Sequence, residues 1–221
     1  MATATIIRKD EQIQQDVLAE LKWDARVQPN EIGVSVKDGI VTLTGWVDSF
    51  LKKWSAEEAA LRVRGVKAVA NDIEVRLSTQ QIDPDIANAV LHALEWDAGV
   101  LLDKIQVAVS KGWVTLKGEV EWQYQRDTAE KAVRRIKGVK GVSNLIMLKP
   151  HVEPSNLKKK IQEAFKRNAE LDANRIAIEA DGSKVILKGT VRSWIEREEA
   201  ERVAWSAPGV TQVEDRIVVV P

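Results

Sequence analysis

The sequence DGIVTLTGWV at residues 38–47 occurs three times in the chain in recognisable form. The second copy is KGWVTLKGEV at residues 111–120, and the third is GSKVILKGTV at residues 182–191. Each copy begins with turn-forming residues, continues as an alternating apolar strand and ends on Gly-x-Val. Three copies of one strand predict a repeated unit rather than one continuous domain.

A second set of glycines fixes the register of the repeat. About twenty residues after each copy, a Gly-Val pair is followed by a further valine and by Asn or Asp. Both sets of glycines recur after 73 residues and then after 71 residues. We therefore expect three domains, at residues 1–80, 81–152 and 153–221. The strand-end glycines are Gly45, Gly118 and Gly189, and the glycines of the later pairs are Gly65, Gly138 and Gly209.

The apolar spacing within each repeat predicts the order helix, strand, strand, helix, strand. Asp10 and Asp83 precede the first helices of repeats one and two, where each is expected to be the N-cap. The two hairpin strands should be antiparallel, and the helical crossover should make the third strand parallel to the second. The fold class is α+β: three tandem α-β-β-α-β units, each a small three-stranded mixed sheet with two helices on one face.

The repeated glycines are interpreted as structural. Gly65, Gly138 and Gly209 stand where a helix ends, and glycine is favoured at that position. Gly45, Gly118 and Gly189 suit a bulge, or a point where a helix passes close to the strand.

Composition and charge favour a binding protein over an enzyme or a nucleic-acid-binding protein. The chain has 33 acidic and 33 basic residues and a net charge of zero, and each repeat is balanced, so no basic surface is predicted. Cysteine is absent, and the two histidines, His92 and His151, lack neighbours at the spacing of metal ligands. We predict no catalytic residues, no metal and no cofactor.

The N-terminal sequence lacks the apolar region of a signal peptide, and no run is long enough to span a membrane. We expect a cytoplasmic protein as the sequence stands, or a periplasmic one if a signal peptide has been removed.

The paired signatures, strand-Gly-x-Val and then Gly-Val-x-x-Val-x-Asn, resemble the BON domain (bacterial OsmY and nodulation) in three copies. Repeat three departs twice: Gly182 stands one place earlier than Gly112, and Asp215 replaces Asn71 and Asn144. The resemblance implies a non-enzymatic domain of the cell envelope, linked to osmotic stress and proposed to bind phospholipid or another hydrophobic ligand. Because most members of this family are secreted or periplasmic, the resemblance also implies such a location.

Tryptophan is unusually frequent, with eight residues against one tyrosine and two phenylalanines. Several tryptophans align with charged residues in another repeat, which argues against a deep core position. The topology maps eight aromatic residues to one pole of the repeats, or within about a turn of it. This candidate ligand- or interface-contact set is Trp23, Trp46, Phe50, Trp54, Trp96, Trp122, Tyr124 and Trp194.

Three roles remain open for these side chains: packing between repeats or subunits, contact with a hydrophobic ligand or lipid, and local packing. One hypothesis is a binding protein whose partner is phospholipid or a small hydrophobic molecule. The other is a structural or interaction protein that forms a homo-oligomer or binds a partner through the same surface.

Overall fold

The computed structural model describes residues 9–27, 31–77, 81–97, 102–149, 156–168 and 171–220. Repeat one contains α1 (Asp10–Trp23), β1 (Ile32–Lys37), β2 (Ile40–Val47), α2 (Phe50–Arg62), β3 (Ala68–Asn71) and β4 (Glu74–Val75). Repeat two contains α3 (Asp83–Trp96), β5 (Ile105–Ser110), β6 (Trp113–Val120), α4 (Gln123–Arg134) and β7 (Gly141–Leu148). Repeat three contains α5 (Leu157–Arg167), β8 (Ile176–Asp181), β9 (Lys184–Val191), α6 (Trp194–Trp205) and β10 (Gln212–Val219).

The predicted fold class is confirmed in all three repeats. The second strand lies at the centre of each sheet, antiparallel to the first strand and parallel to the third. The helices bury one apolar face against the sheet, as the spacing by three and four predicts. In repeat three the core includes Ile161 and Phe165 of α5, Val185 and Leu187 of β9, and Ala200 of α6.

The third strand of repeat one is interrupted, whereas its equivalents β7 and β10 are continuous. Its two segments, β3 and β4, both pair in parallel with β2. The sequence predicted one uninterrupted strand here.

The chain forms two compact units that do not follow the repeat boundaries. The first comprises the described residues of Met1–Gly45, Ser55–Ile73 and Val152–Pro221, and so includes most of repeat one with repeat three. The second comprises those of Trp46–Trp54 and Glu74–His151, and so includes repeat two with the remainder of repeat one.

Asp10 and Asp83 are not N-caps, contrary to the sequence prediction. Each is the first residue of its helix, after Lys9 and Ile82. The Asp10 carboxylate instead accepts hydrogen bonds from the backbone N–H groups of the hairpin turn, at 2.7 and 3.0 Å. Asp83 does the same at 2.8 and 2.9 Å. The carboxylate therefore joins the first helix to the hairpin, which a local capping rule does not anticipate.

The displaced glycine of repeat three reflects a different hairpin turn. In repeat one both central residues, Asp38 and Gly39, have positive φ (54° and 79°), which is the pattern of a type I′ turn. In repeat three the central residues are Gly182 and Ser183, and of these only the glycine has positive φ (56°). A type II′ turn requires glycine at the first central position, which explains the shift by one residue.

The strand-end glycines accommodate a close backbone approach. At Gly45 φ is 114°, and an added Cβ would lie 1.9 Å from the carbonyl oxygen of Glu31. An added Cβ at Gly118 would lie 1.9 Å from the equivalent carbonyl oxygen of Lys104, and one at Gly189 would lie 2.0 Å from that of Arg175. The neighbour is the backbone before the first strand rather than a helix.

Candidate binding surface

Two tryptophans at equivalent positions lie almost entirely in solvent. Trp23 is the last residue of α1 and is 86% exposed; Trp96 is the last residue of α3 and is 87% exposed. Each follows a buried helix face, so the helix itself is fixed against the sheet while its final side chain projects from it. Repeat three has Arg167 at this position.

Trp23 borders a shallow depression formed by α1 and the end of α2, where an ion-pair cluster joins the two helices. The Arg62 guanidinium donates to Glu20 Oε1 at 2.9 Å and to Asp24 Oδ2 at 3.0 Å. Arg26 also donates to both carboxylate oxygens of Asp24, and these hydrogen bonds hold the pKa of Asp24 well below its ordinary value. The helix end that carries Trp23 is therefore joined to α2 by two ion pairs of Arg62.

Two aromatic residues at the start of α2 contact repeat two within the second compact unit. Phe50 packs against the repeat-two core. Trp54 lies under the guanidinium of Arg134 on α4, with 4.3 Å between the guanidinium carbon and the ring centroid. This is the geometry of a cation–π interaction. Phe50 and Trp54 therefore serve packing between repeats.

Trp194, the first residue of α6, joins repeat three to repeat one within the first compact unit. Its indole Nε1–H donates to the backbone carbonyl of Val66 at 2.8 Å. The guanidinium carbon of Arg197 lies 4.6 Å from the centroid of the Trp194 ring, and Arg197 Nε donates to Asp215 Oδ2 at 2.5 Å. A series of interactions thus runs from the repeat-three sheet to the backbone of repeat one.

The remaining three candidates have local surroundings. Trp46 lies near Arg76, with 5.8 Å between the guanidinium carbon and the ring centroid. Trp122 is half-buried before α4, where Gln125 Oε1 accepts from its backbone N–H at 3.1 Å. Tyr124 is 57% exposed on the first turn of α4.

The structure therefore separates the predicted set by environment. Phe50, Trp54 and Trp194 contact another repeat, while Trp23 and Trp96 face solvent. Sequence reasoning missed Val66 and Arg197, the partners of Trp194, and Arg134, the partner of Trp54. Only Arg197 had a local signal, because it follows Trp194 by three positions on the same helix face.

Side chains of the types that bind metals do not cluster in the part of the chain that the structure describes. No three His, Cys, Asp or Glu residues are placed there to hold a metal ion. His92 is exposed, with Nδ1 3.7 Å from Glu95 Oε2, and His151 lies outside the described residues. Burial raises the pKa of Asp127, whose carboxylate accepts from Gln123 Nε2 at 2.9 Å.

The model of the BON domain matches residues 9–76, 82–150 and 154–221. The chain belongs to the BON domain family. The osmotically-inducible protein Y of Escherichia coli (strain K12) is 30% identical over 141 residues, which are 61% of this chain and 70% of that protein. An uncharacterized protein in the gshII 5′ region of Anaplasma centrale is 33% identical over 125 residues, 54% of this chain and 83% of that protein.

A solved structure of CdsD, a structural protein of the type III secretion system of Chlamydia trachomatis, covers 95% of this chain and 93% of its own. It is 12% identical to this chain, with a TM-score of 0.25. No helix among the described BON residues is long and apolar enough to cross a membrane.

Proposed function

We propose that this BON protein is a non-catalytic binding protein that engages phospholipid surfaces, with Trp23 and Trp96 as its membrane-contacting side chains. The observation that carries the proposal is the near-complete exposure of both indoles at one equivalent position of two repeats. A large aromatic side chain left in water at a helix end forgoes the stabilisation of burial, about 1.5–3 kcal/mol for a large apolar side chain. Contact with a bilayer would recover it.

The chemistry of indole fits the membrane–water boundary. The ring is apolar while its N–H remains a hydrogen-bond donor, and tryptophan is enriched at the level of lipid headgroups for that reason. The net charge of the chain is zero, so burial of the ring rather than long-range attraction would supply the affinity. Binding should therefore depend weakly on salt.

A fluorescence titration with vesicles of phosphatidylethanolamine and phosphatidylglycerol tests the proposal. Insertion moves exposed indoles from water into the headgroup region, so emission should shift to the blue. Trp23→Ser and Trp96→Ser should each reduce the shift. Ile82→Ser is the matched control, because Ile82 is also an exposed apolar residue (61%) but precedes the N-terminus of α3, at the opposite end of that helix from Trp96. An unchanged emission spectrum at saturating lipid would refute the proposal.

A second candidate function is self-association. It is favoured by Phe50 and Trp194, which show that this chain already uses aromatic residues to join one repeat to another. Under this alternative, Trp23 and Trp96 would pack on another copy of the chain. Light scattering would then give a mass that rises with protein concentration and falls in Trp23→Ser, without any response to vesicles.

The relation to a protein named for osmotic induction supports a role in osmotic or envelope stress. Such a role requires the amount of this protein to rise after an osmotic upshift. Quantitative immunoblotting before and after the upshift measures that change directly.

A further inference from the structure

Repeat three contains a groove between its two helices, α5 and α6, with a volume of about 410 Å³. Its floor is apolar: Ile161 and Val203 are buried there, beside the small side chains of Ala164 and Ala207. Its rim is cationic. The rim residues are Lys160, Arg167 and Arg202.

The equivalent location in repeat one is the depression beside Trp23, which the ion-pair cluster of α1 and α2 crosses. Alignment on the helix-end glycines places Ala164 where repeat one has Glu20, and Ser206 where it has Arg62. The Arg62–Glu20 bridge that joins the helices in repeat one is thus replaced by two small residues in repeat three. Repeat three therefore lacks the charged bridge that crosses the repeat-one depression, and small side chains border the apolar floor of its groove instead.

The replacement also changes the charge of the site. Asn168 stands at the position of Asp24, so both carboxylates of the repeat-one cluster are missing among the groove residues. One acidic group, Glu199, lies at the edge, where it accepts from Arg202 Nε at 2.6 Å and from Asn168 Nδ2 at 2.5 Å. The groove lining therefore has more cationic than anionic side chains above its apolar floor.

We infer that this groove binds a single-chain anionic amphiphile, such as a medium-chain fatty acid. The alkyl chain would lie on Ile161, Ala164 and Val203, where burial contributes about 0.8 kcal/mol per methylene. The carboxylate would meet the rim cations, with Arg167 donating in bidentate geometry. The volume lies near the lower end of the range of ligand pockets, about 300–1,000 Å³, and suits one chain better than the two of a phospholipid.

Isothermal titration of the full chain with sodium decanoate, below the concentration at which it forms micelles, tests the inference. We expect saturable binding at one site per chain. Arg167→Gln should weaken binding at least fivefold, because it removes the bidentate partner. Lys166→Gln is the matched control, since it makes the same charge change at the adjacent position of α5 and should leave the affinity unchanged.

A transplant of the repeat-one bridge provides the sharper variant. Ala164→Glu combined with Ser206→Arg should place a charged bridge across the apolar floor, as Glu20 and Arg62 do in repeat one, and so abolish decanoate binding, with circular dichroism showing that the fold is kept. Butyrate tests whether the ligand needs a long alkyl chain, and decyltrimethylammonium tests whether it needs a negative charge. Neither compound should bind. Decanoate binding that survives the double substitution, or equal loss in Arg167→Gln and Lys166→Gln, would overturn the inference.

This inference is independent of the proposed membrane contact, because none of the groove residues belongs to the aromatic set. A chain with both Trp23→Ser and Trp96→Ser should bind decanoate with unchanged affinity. Conversely, the groove variants should retain the fluorescence response to vesicles. Failure of either activity can therefore be distinguished from failure of the other.

Discussion

At the scale of single residues, Asp215 illustrates how a substitution between repeats is matched by its neighbours. In repeats one and two, Asn71 and Asn144 donate their side-chain amides to Glu57 and Glu130, each at 3.0 Å. In repeat three the carboxylate of Asp215 accepts from Arg197 instead. All three side chains keep one shared function, which is to accept the backbone N–H two residues later. The position thus requires an acceptor for this N–H group. The second polar atom of the side chain is an amide nitrogen where the partner is Glu and a carboxylate oxygen where the partner is Arg.

Asp215→Asn should lower the free energy of unfolding by about 1–3 kcal/mol, because Arg197 would lose its charged hydrogen-bond partner. Urea denaturation followed by circular dichroism measures the change. Asp181→Asn, which alters an exposed carboxylate of the same repeat, should change the stability by less than about 0.5 kcal/mol. Equal effects of the two substitutions would contradict this assignment.

A second residue-scale prediction concerns Gly45. Gly45→Ala should destabilise the fold by more than the roughly 1–3 kcal/mol of a strained φ, because its Cβ would also overlap the Glu31 carbonyl. Gly182→Ala separates the two effects, since its φ is positive but no atom lies within 4 Å of the added Cβ. In chemical denaturation, the free energy of unfolding of Gly45→Ala should therefore be well below that of Gly182→Ala. Similar values would show that the close approach of Gly45 to the Glu31 carbonyl is unimportant.

At the scale of helices and strands, much of the fold follows from local patterns. The alternation at residues 41–43 and the helical spacing at residues 13–21 suffice to place β2 and α1, because each element buries one face. Local patterns did not predict two features: the interruption between β3 and β4, and the role of Asp10 in the hairpin turn. Both depend on hydrogen bonds between segments distant in sequence, which local propensity does not contain. The loss of the charged bridge at the α5–α6 groove could have been found by aligning Ala164 and Ser206 with Glu20 and Arg62.

The ion pair between α1 and α2 gives a pH-dependent prediction for these elements. The pKa of Asp24 is lowered in the folded state, so its stabilisation is complete above its ordinary pKa, 3.8, and declines as the pH falls below that value. Asp24→Asn should cost about 1–2 kcal/mol at pH 7, since the carboxylate is buried while solvent screens the half-exposed Arg26.

Urea denaturation at pH 7 and at pH 3 compares the two proteins. The difference in unfolding free energy between the native chain and Asp24→Asn should be smaller at pH 3, where part of the stabilisation has been lost. A difference that is the same at both pH values would show that Asp24 does not act through its charge.

At the scale of the whole molecule, the repeats are joined by residues that differ between them. Trp194 contacts Val66 across 128 residues of sequence, and its equivalents in the other repeats are Phe50 and Gln123. Packing between repeats was one of three roles that the sequence left open for the tryptophans, and pairing residues so far apart required coordinates. The sequence likewise predicted eight aromatic residues as one set, whereas their surroundings divide them into residues that contact another repeat, residues that face solvent and residues with local surroundings.

Trp194→Phe should weaken the contact between repeats one and three, because the ring remains but its donor to the Val66 carbonyl is lost. We expect a loss of about 0.5–1.5 kcal/mol and faster hydrogen exchange in repeat one at residues 63–67. Trp205→Phe also removes an indole donor, but that donor bonds to Glu201 within α6, so exchange in repeat one should not change. Identical exchange in both variants would contradict the coupling of the two repeats.

We propose that Trp23 and Trp96 bring this BON protein to phospholipid surfaces. Flotation with phosphatidylethanolamine–phosphatidylglycerol vesicles tests it most directly, by comparing the native chain with the double variant Trp23→Ser, Trp96→Ser and with Ile82→Ser. We expect the native chain and Ile82→Ser to float with the vesicles while the double variant stays in the dense fraction. Equal flotation of all three proteins, or no flotation of the native chain, would contradict it.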